Sequence, residues 1–234
     1  MKTTMAYRIP AEARRRDGER GTEIMEFSLF MMLFMVPMML YVFINGMNLL
    51  RMIQCMEINR DINNLYIHGV DFSTYEAQSV AQRLAKGYGL QIGTSFTGQE
   101  NSNASNSTSN GYVILSEVMY AGTGSCASLG ASCTNKNKYV FLQRITFGYS
   151  GVQFNGTTVQ SGIGNPTGAT INSAGFVQNY LTDSHAVATN FAGLLQNQLT
   201  DGQVMYVVET FFASNDLGSI SAYPGGGIYS RTFF

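Results

Sequence analysis

The sequence has no tryptophan, two histidines, three cysteines and four prolines among 234 residues. Scarce His and Cys leave little material for a zinc site, which draws its ligands mainly from those two types. Charged residues are also sparse, at 12% of the chain, about half the globular norm. Lysine and arginine number 14 against 15 acidic residues, for a net charge of −1. That balance excludes a strongly basic nucleic-acid binder, which neutralises phosphates with an excess of cations. Hydrophobic content is ordinary at 45%, so Ser, Thr, Asn, Gln and Gly fill the deficit of charge. Such a composition is common on surfaces outside the cell.

The charges that are present sit unevenly. In residues 1–21, Lys2, Arg8, Arg14, Arg15, Arg16 and Arg20 outnumber Glu12, Asp17 and Glu19, and the rest of the chain is net acidic. The basic cluster directly precedes an apolar run, and Phe27 to Leu50 contains no charged residue. A helix of that length spans about 36 Å, enough to cross a bilayer core of roughly 30 Å. A buried core helix of this length would keep a polar face, and this run has none. A cleavable secretory signal has a shorter apolar core followed by a small-residue cleavage site, and no such site follows here. The expectation is a membrane span at about 24–50. The positive-inside rule puts the arginines in the cytoplasm and the residues beyond about 50 outside.

Glu26 abuts the apolar run, where an unpaired carboxylate is costly. It either marks the headgroup boundary or meets a positive partner. Cleavage after Gly21 would create such a partner, because the new α-amino group would sit on Thr22, four residues before Glu26. A neighbouring chain's amine could then neutralise Glu26 in an array of helices.

Basic residues, Gly21, four residues, then Glu26-Phe27 and an apolar helix resemble the class III signal of type IV pilin-like proteins. Arg20-Gly21 before Glu26-Phe27 resembles in particular the TadE-like pseudopilins of the tight-adherence (Tad/Flp) system. Pro37 within the span fits that family. So does Asp201-Gly202-Gln203-Val204-Met205-Tyr206-Val207-Val208-Glu209-Thr210-Phe211-Phe212, which resembles a strand near the family's C-terminus. Ile228 to Phe234 resembles its closing strand. The likeness covers residues 14–66 and 199–234.

The resemblance implies a pilin-like α+β fold. A long N-terminal helix, transmembrane and then amphipathic, would pack on an antiparallel sheet of about four strands. It implies a cytoplasmic leader (1–21), an N-terminal helix (22–68) and an exported domain (69–234). Prepilin peptidase would cut after Gly21 and leave Thr22, Glu26 and Phe27 at the head of the mature helix. The implied partners are that peptidase, the Tad inner-membrane platform and its assembly ATPase, other pilins and pseudopilins, and the lipid bilayer. The implied place is the bacterial inner membrane, single-pass, with the C-terminal domain periplasmic or extracellular. The implied role is that of a minor pilin that initiates or caps a fibre. The alternative is an unprocessed, membrane-anchored structural or adhesive protein.

The remaining expectations come from pattern alone. Leu49, Ile53, Met56, Ile58, Ile62, Leu65 and Tyr66 continue the helix with mixed charge as far as about His68, where Gly69 ends it. Ser73-Thr74-Tyr75-Glu76 reads as a capping box for a second helix, with Ala77, Val80, Ala81 and Leu84 on one face. Residues 97–111 have no apolar periodicity and read as a surface loop. Asn103, Asn106 and Asn155 stand in sequon-like triplets. Tyr112–Tyr120 and Tyr139–Phe147 read as strands. Cys126 and Cys133 between them suit a disulfide outside the cell, worth on the order of 2.5 kcal/mol. Cys55 is left over, as a core residue or a bridge to another chain. Residues 148–172 read as an extended loop and 184–199 as a helix. Strands follow at about 203–213 and 227–234, with a turn at Pro224 to Gly227. Asp183-Ser184-His185 contains triad residue types, but as sequence neighbours they lack the spatial convergence a triad needs. The chain therefore reads as a non-enzyme without cofactor or metal.

Overall fold

The computed structural model describes residues 22–93, 110–154, 157–195, 199–213 and 227–234. The leader with Gly21, the 97–109 stretch with two of the sequon-like triplets, Asn155 and the turn at 224–226 lie outside these residues. The described chain divides into two units, at Leu50 and Arg51.

In the first unit the chain is helical from Thr22 onward. Helix α1 runs over Thr22–Ile67 and is long and apolar enough to cross a membrane. Its apolar side chains from Ile24 through Tyr41 are exposed, and nothing among the described residues covers them. Residues Met31–Met35 form a π-helical turn. Pro37 explains its position. Proline has no N–H and its ring crowds the carbonyl four residues back, here that of Leu33, so the ladder widens just before it.

In the second unit, α1 becomes one-sided. Cys55, Ile58, Ile62 and Tyr66 recur at helical spacing and are buried in one stripe, together with Asn59 and Asn63. The helix ends at Ile67, and Gly69 takes φ +81°, a conformation that costs glycine little. Helix α2 follows at Tyr75–Gly87. Its cap is Thr74, which accepts from the Ala77 N–H, and not Ser73. Ser73 is drawn into the preceding turn, where its N–H donates to Asp71 Oδ1 at 2.9 Å. The buried face is Ala77, Gln78, Ala81 and Ala85, while Val80 is 43% exposed. The alanine stripe therefore corrects the expected face by about one position. Arg51 Nη1 reaches the carbonyl of Tyr88 at 3.2 Å and ties α1 to the C-terminal end of α2.

Four strands make one antiparallel sheet: β1 (Gly111–Ala121), β2 (Lys138–Gly148), β5 (Val204–Ala213) and β6 (Gly227–Phe233), in the order β2-β1-β5-β6. A small hairpin, β3 (Gln153–Phe154) with β4 (Thr157–Thr158), stands apart from it. One face of the sheet presents Val113, Leu115, Ile145, Phe147, Val208 and Phe212 to α1 and α2. Phe72 stacks on Phe147 there, and Tyr66 meets Tyr206 edge-on with centroids 5.3 Å apart. The opposite face carries Val118, Phe141 and Val207, which lie under Ile163, Val177, Ala186 and Phe191 from the irregular stretch after β4.

The expected helix at 184–199 does not form. Ser184–Ala186 is a single 3₁₀ turn, and only Ala192–Leu195 (α3) is α-helical among the described residues of that stretch. Between them Val187 bridges Val140, and the Ala188 N–H donates to the carbonyl of Tyr139. The unpaired edge of β2 recruits this segment, and its backbone partners replace those of a helix.

Candidate functional site

The residues expected at the head of the mature helix are placed only in part. Thr22, Glu26 and Phe27 lie on α1, and Glu26 and Phe27 have exposed side chains. Thr22 and Glu26 are four residues apart and so lie on one helix face. Gly21 lies outside the described residues.

The second unit holds a polar row that the sequence alone does not reveal. It crosses all four strands on the face away from the helices. Arg144 on β2 pairs with Ser116 on β1, and Glu209 on β5 pairs with Arg231 on β6. Ser116 is opposite Val207, two residues from Glu209, so the two pairs are diagonal neighbours. Glu209 is fully buried. Its carboxylate accepts the Gly162 N–H at 2.8 Å, the Tyr229 hydroxyl at 2.6 Å and the Ser161 hydroxyl. Arg144, 7% exposed, donates to Ser116 Oγ at 2.6 Å, to the carbonyl of Gly164 at 3.2 Å and to Asn165 Oδ1. Burial pulls the Arg144 guanidinium down to about 10, and the Glu209 carboxylate opposes that fall. Burial, with Glu209 beside it, also pushes the Tyr229 phenol up.

Each buried charge thus spends two of its three hydrogen bonds on the 161–165 loop. Glycine at 162 leaves room for two side-chain ends, since a Cβ would stand 2.6 Å from Arg231 Nη1 and 2.9 Å from Tyr229 Oη. Arg231 lies over the rings of Tyr229 and Phe233, at 5.9 and 5.0 Å. This arrangement fixes a long loop to the sheet. Both carboxylate oxygens of Glu209 accept hydrogen bonds, Oε1 from Gly162 and Tyr229 and Oε2 from Ser161.

A second carboxylate organises the end of β1. Asp201 accepts the Gly122 N–H at 2.8 Å, the Ser125 N–H at 3.2 Å, the Ser125 hydroxyl at 2.5 Å and the Gly124 N–H. The Ser125 hydroxyl, with these backbone donors, holds the Asp201 carboxyl below the usual range. The loop gathered this way leads into Cys126, which is bonded to Cys133. Cys55 is fully buried, 3.6 Å from Thr210 Oγ1.

Asp183 and His185 form a local pair at 2.9 Å at the 3₁₀ turn, with the His185 side chain exposed. Among the described residues, no group of three or more His, Cys, Asp and Glu side chains could hold a metal ion. An apolar cleft of about 380 Å³ opens beside β6, lined by Val159, Gly162, Phe211, Gly227 and Tyr229 among others.

Glu209 stands in one strand motif and its partner Tyr229 in the closing strand, but Gly162 and Ser161 lie 47 and 48 residues away and carry no pattern of their own. The sequence signals for the site are a lone carboxylate amid Val207, Val208, Phe211 and Phe212, and Tyr229 and Arg231 in the closing strand. No protein-family model matches the chain, and neither a curated protein nor a solved structure is similar to it.

Proposed function

We propose that the chain is a TadE-like pseudopilin, a minor component that initiates or caps the fibre of a tight-adherence pilus. One observation carries the reading. A single helix, described from Thr22 onward, is bare and apolar through its first part and becomes the buried support of a four-stranded antiparallel sheet in its second. That division of labour suits a subunit that waits in a bilayer and leaves it as part of a fibre. The motif residues Gly21, Glu26 and Phe27 and the strand from Asp201 to Phe212 supply the resemblance.

In this reading prepilin peptidase cuts between Gly21 and Thr22 at the cytoplasmic side of the inner membrane. Glu26 pairs with a free α-amine in the helix array and sets register, since an unpaired carboxylate there is costly. The Tad platform and its ATPase then move the subunit outward among other pilins. The exported unit is periplasmic or extracellular.

The test is the terminal residue of the membrane-extracted protein, read by intact mass and terminal-peptide analysis. A start at Thr22 is expected, together with loss of processing in Gly21→Trp. An intact leader in a peptidase-competent host would make the protein a plain membrane anchor with a structural or adhesive domain.

A further inference from the structure

The sheet has two edges treated in opposite ways. Along β2, the chain's own backbone fills the edge: the Arg144 N–H donates to the carbonyl of Gly175, and Val177 and Ala188 donate to Leu142 and Tyr139. Along β6, no described strand lies beyond the edge. Tyr206 and Phe234 exchange both of their backbone hydrogen bonds. Alternate residues therefore face β5, and Gly227, Tyr229, Arg231 and Phe233 direct N–H and C=O outward. The strand pairs with β5 without a bulge and contains no proline, two of the devices that blunt an edge.

We propose that β6 pairs antiparallel with β6 of a second copy, about a two-fold axis at Ser230. The residues select that register. Among the described residues of the strand, Arg231 is the one charge. Moving the axis to Arg231 would set two guanidinium groups face to face, and like charges directly opposite are destabilising. Moving it to Tyr229 would shorten the overlap. With the axis at Ser230, Arg231 of each copy faces Tyr229 of the other, a ring its own guanidinium already covers within one chain. Phe233 faces Gly227, whose missing side chain opens onto the apolar cleft lined by Val159, Phe211 and Tyr229. All seven strand residues overlap, with about eight backbone hydrogen bonds, two for each narrow pair. The pairing joins two four-stranded sheets into one and needs nothing from the pilus reading.

Cysteine crosslinking of the full chain in membranes tests the register. The background is Cys55→Ser, because Cys55 lies near Thr210, the partner of Ser230 on β5. At the axis the two Cα atoms would be about 4.5 Å apart, within the span of a disulfide. Oxidation should convert Ser230→Cys to a covalent dimer. Thr232→Cys alone should remain monomeric, while Thr232→Cys mixed with Ile228→Cys should crosslink. Adding Lys at the axis, Ser230→Lys, should abolish the mixed crosslink. The proposal is overturned if Ser230→Cys stays monomeric while the Thr232/Ile228 mixture also fails. It is equally overturned if Ser230→Cys joins a different protein, or if Thr232→Cys dimerises as readily as Ser230→Cys.

Discussion

Removing the Glu209 side chain should loosen the face of the sheet opposite the helices. In Glu209→Ala three donors lose their acceptor: the buried Ser161 hydroxyl, the Gly162 N–H and the half-buried Tyr229 hydroxyl. An unsatisfied buried donor costs about 1–3 kcal/mol. Counting about 2 for Ser161 and about 1 for each of the others, which water can partly reach, gives about 4 kcal/mol. Glu209→Gln keeps the outline and one carbonyl oxygen for Gly162 and Tyr229. The Ser161 hydroxyl can turn to accept from the new amide, so the cost is about 1 kcal/mol. Urea unfolding of the detergent-solubilised chain, followed by tyrosine emission because tryptophan is absent, measures both. With a slope of about 2 kcal/mol/M, the midpoint should fall by about 2 M for Ala and about 0.5 M for Gln. A loss below about 1 kcal/mol in the Ala variant, or equal losses in the two, would show that Glu209 does not hold the 161–165 loop.

Asp201→Ala should free the loop before Cys126, and the expected outcome is faster reduction of Cys126–Cys133 by dithiothreitol at neutral pH, read by thiol labelling. Gly162→Ala should push Arg231 from its place above the Tyr229 ring and lower the urea midpoint, with a cost of about 1–2 kcal/mol. Burial pushes the Cys55 thiol up to about 11 from 9.0, although the Thr210 contact pulls the other way. The unfolded chain therefore loses this proton first. The stability linked to it is intact below about pH 9 and declines as pH rises toward 11. Between pH 8 and 10.5 the parent chain should lose about 2 kcal/mol more than Cys55→Ser, from matched urea midpoints.

The elements set by local chemistry could be read from the sequence. The apolar run, the stop at Gly69 and the β-branched and aromatic strands each carry their own signal, and the observed ends fall within a residue or two of those expected. What escaped was set by distant partners. Val187 and Phe191 repeat at helical spacing, yet the carbonyl of Tyr139 and the bridge to Val140 hold the segment extended. The cap of α2 moved from Ser73 to Thr74 because Asp71 claims the Ser73 N–H. The polar row on the sheet is illegible for the same reason. Arg144, Ser161 and Glu209 are unremarkable in sequence and become a unit only when the strand order brings them together.

The π-turn at Met31–Met35 changes how the apolar part of α1 must be read. A widened turn holds one residue more than an α-turn, and one residue corresponds to about 100° of azimuth. A helical wheel drawn without interruption from Thr22 therefore goes out of phase at Pro37. It assigns Glu26 to the same flank as residues that in fact point elsewhere. Any pairing of helices inferred from such a wheel, or any crosslink designed from it, has to be indexed separately before Met31 and after Met35. Deleting one residue within that segment would restore a continuous phase and rotate Glu26 relative to Tyr41 and Asn45, without altering the composition of either flank.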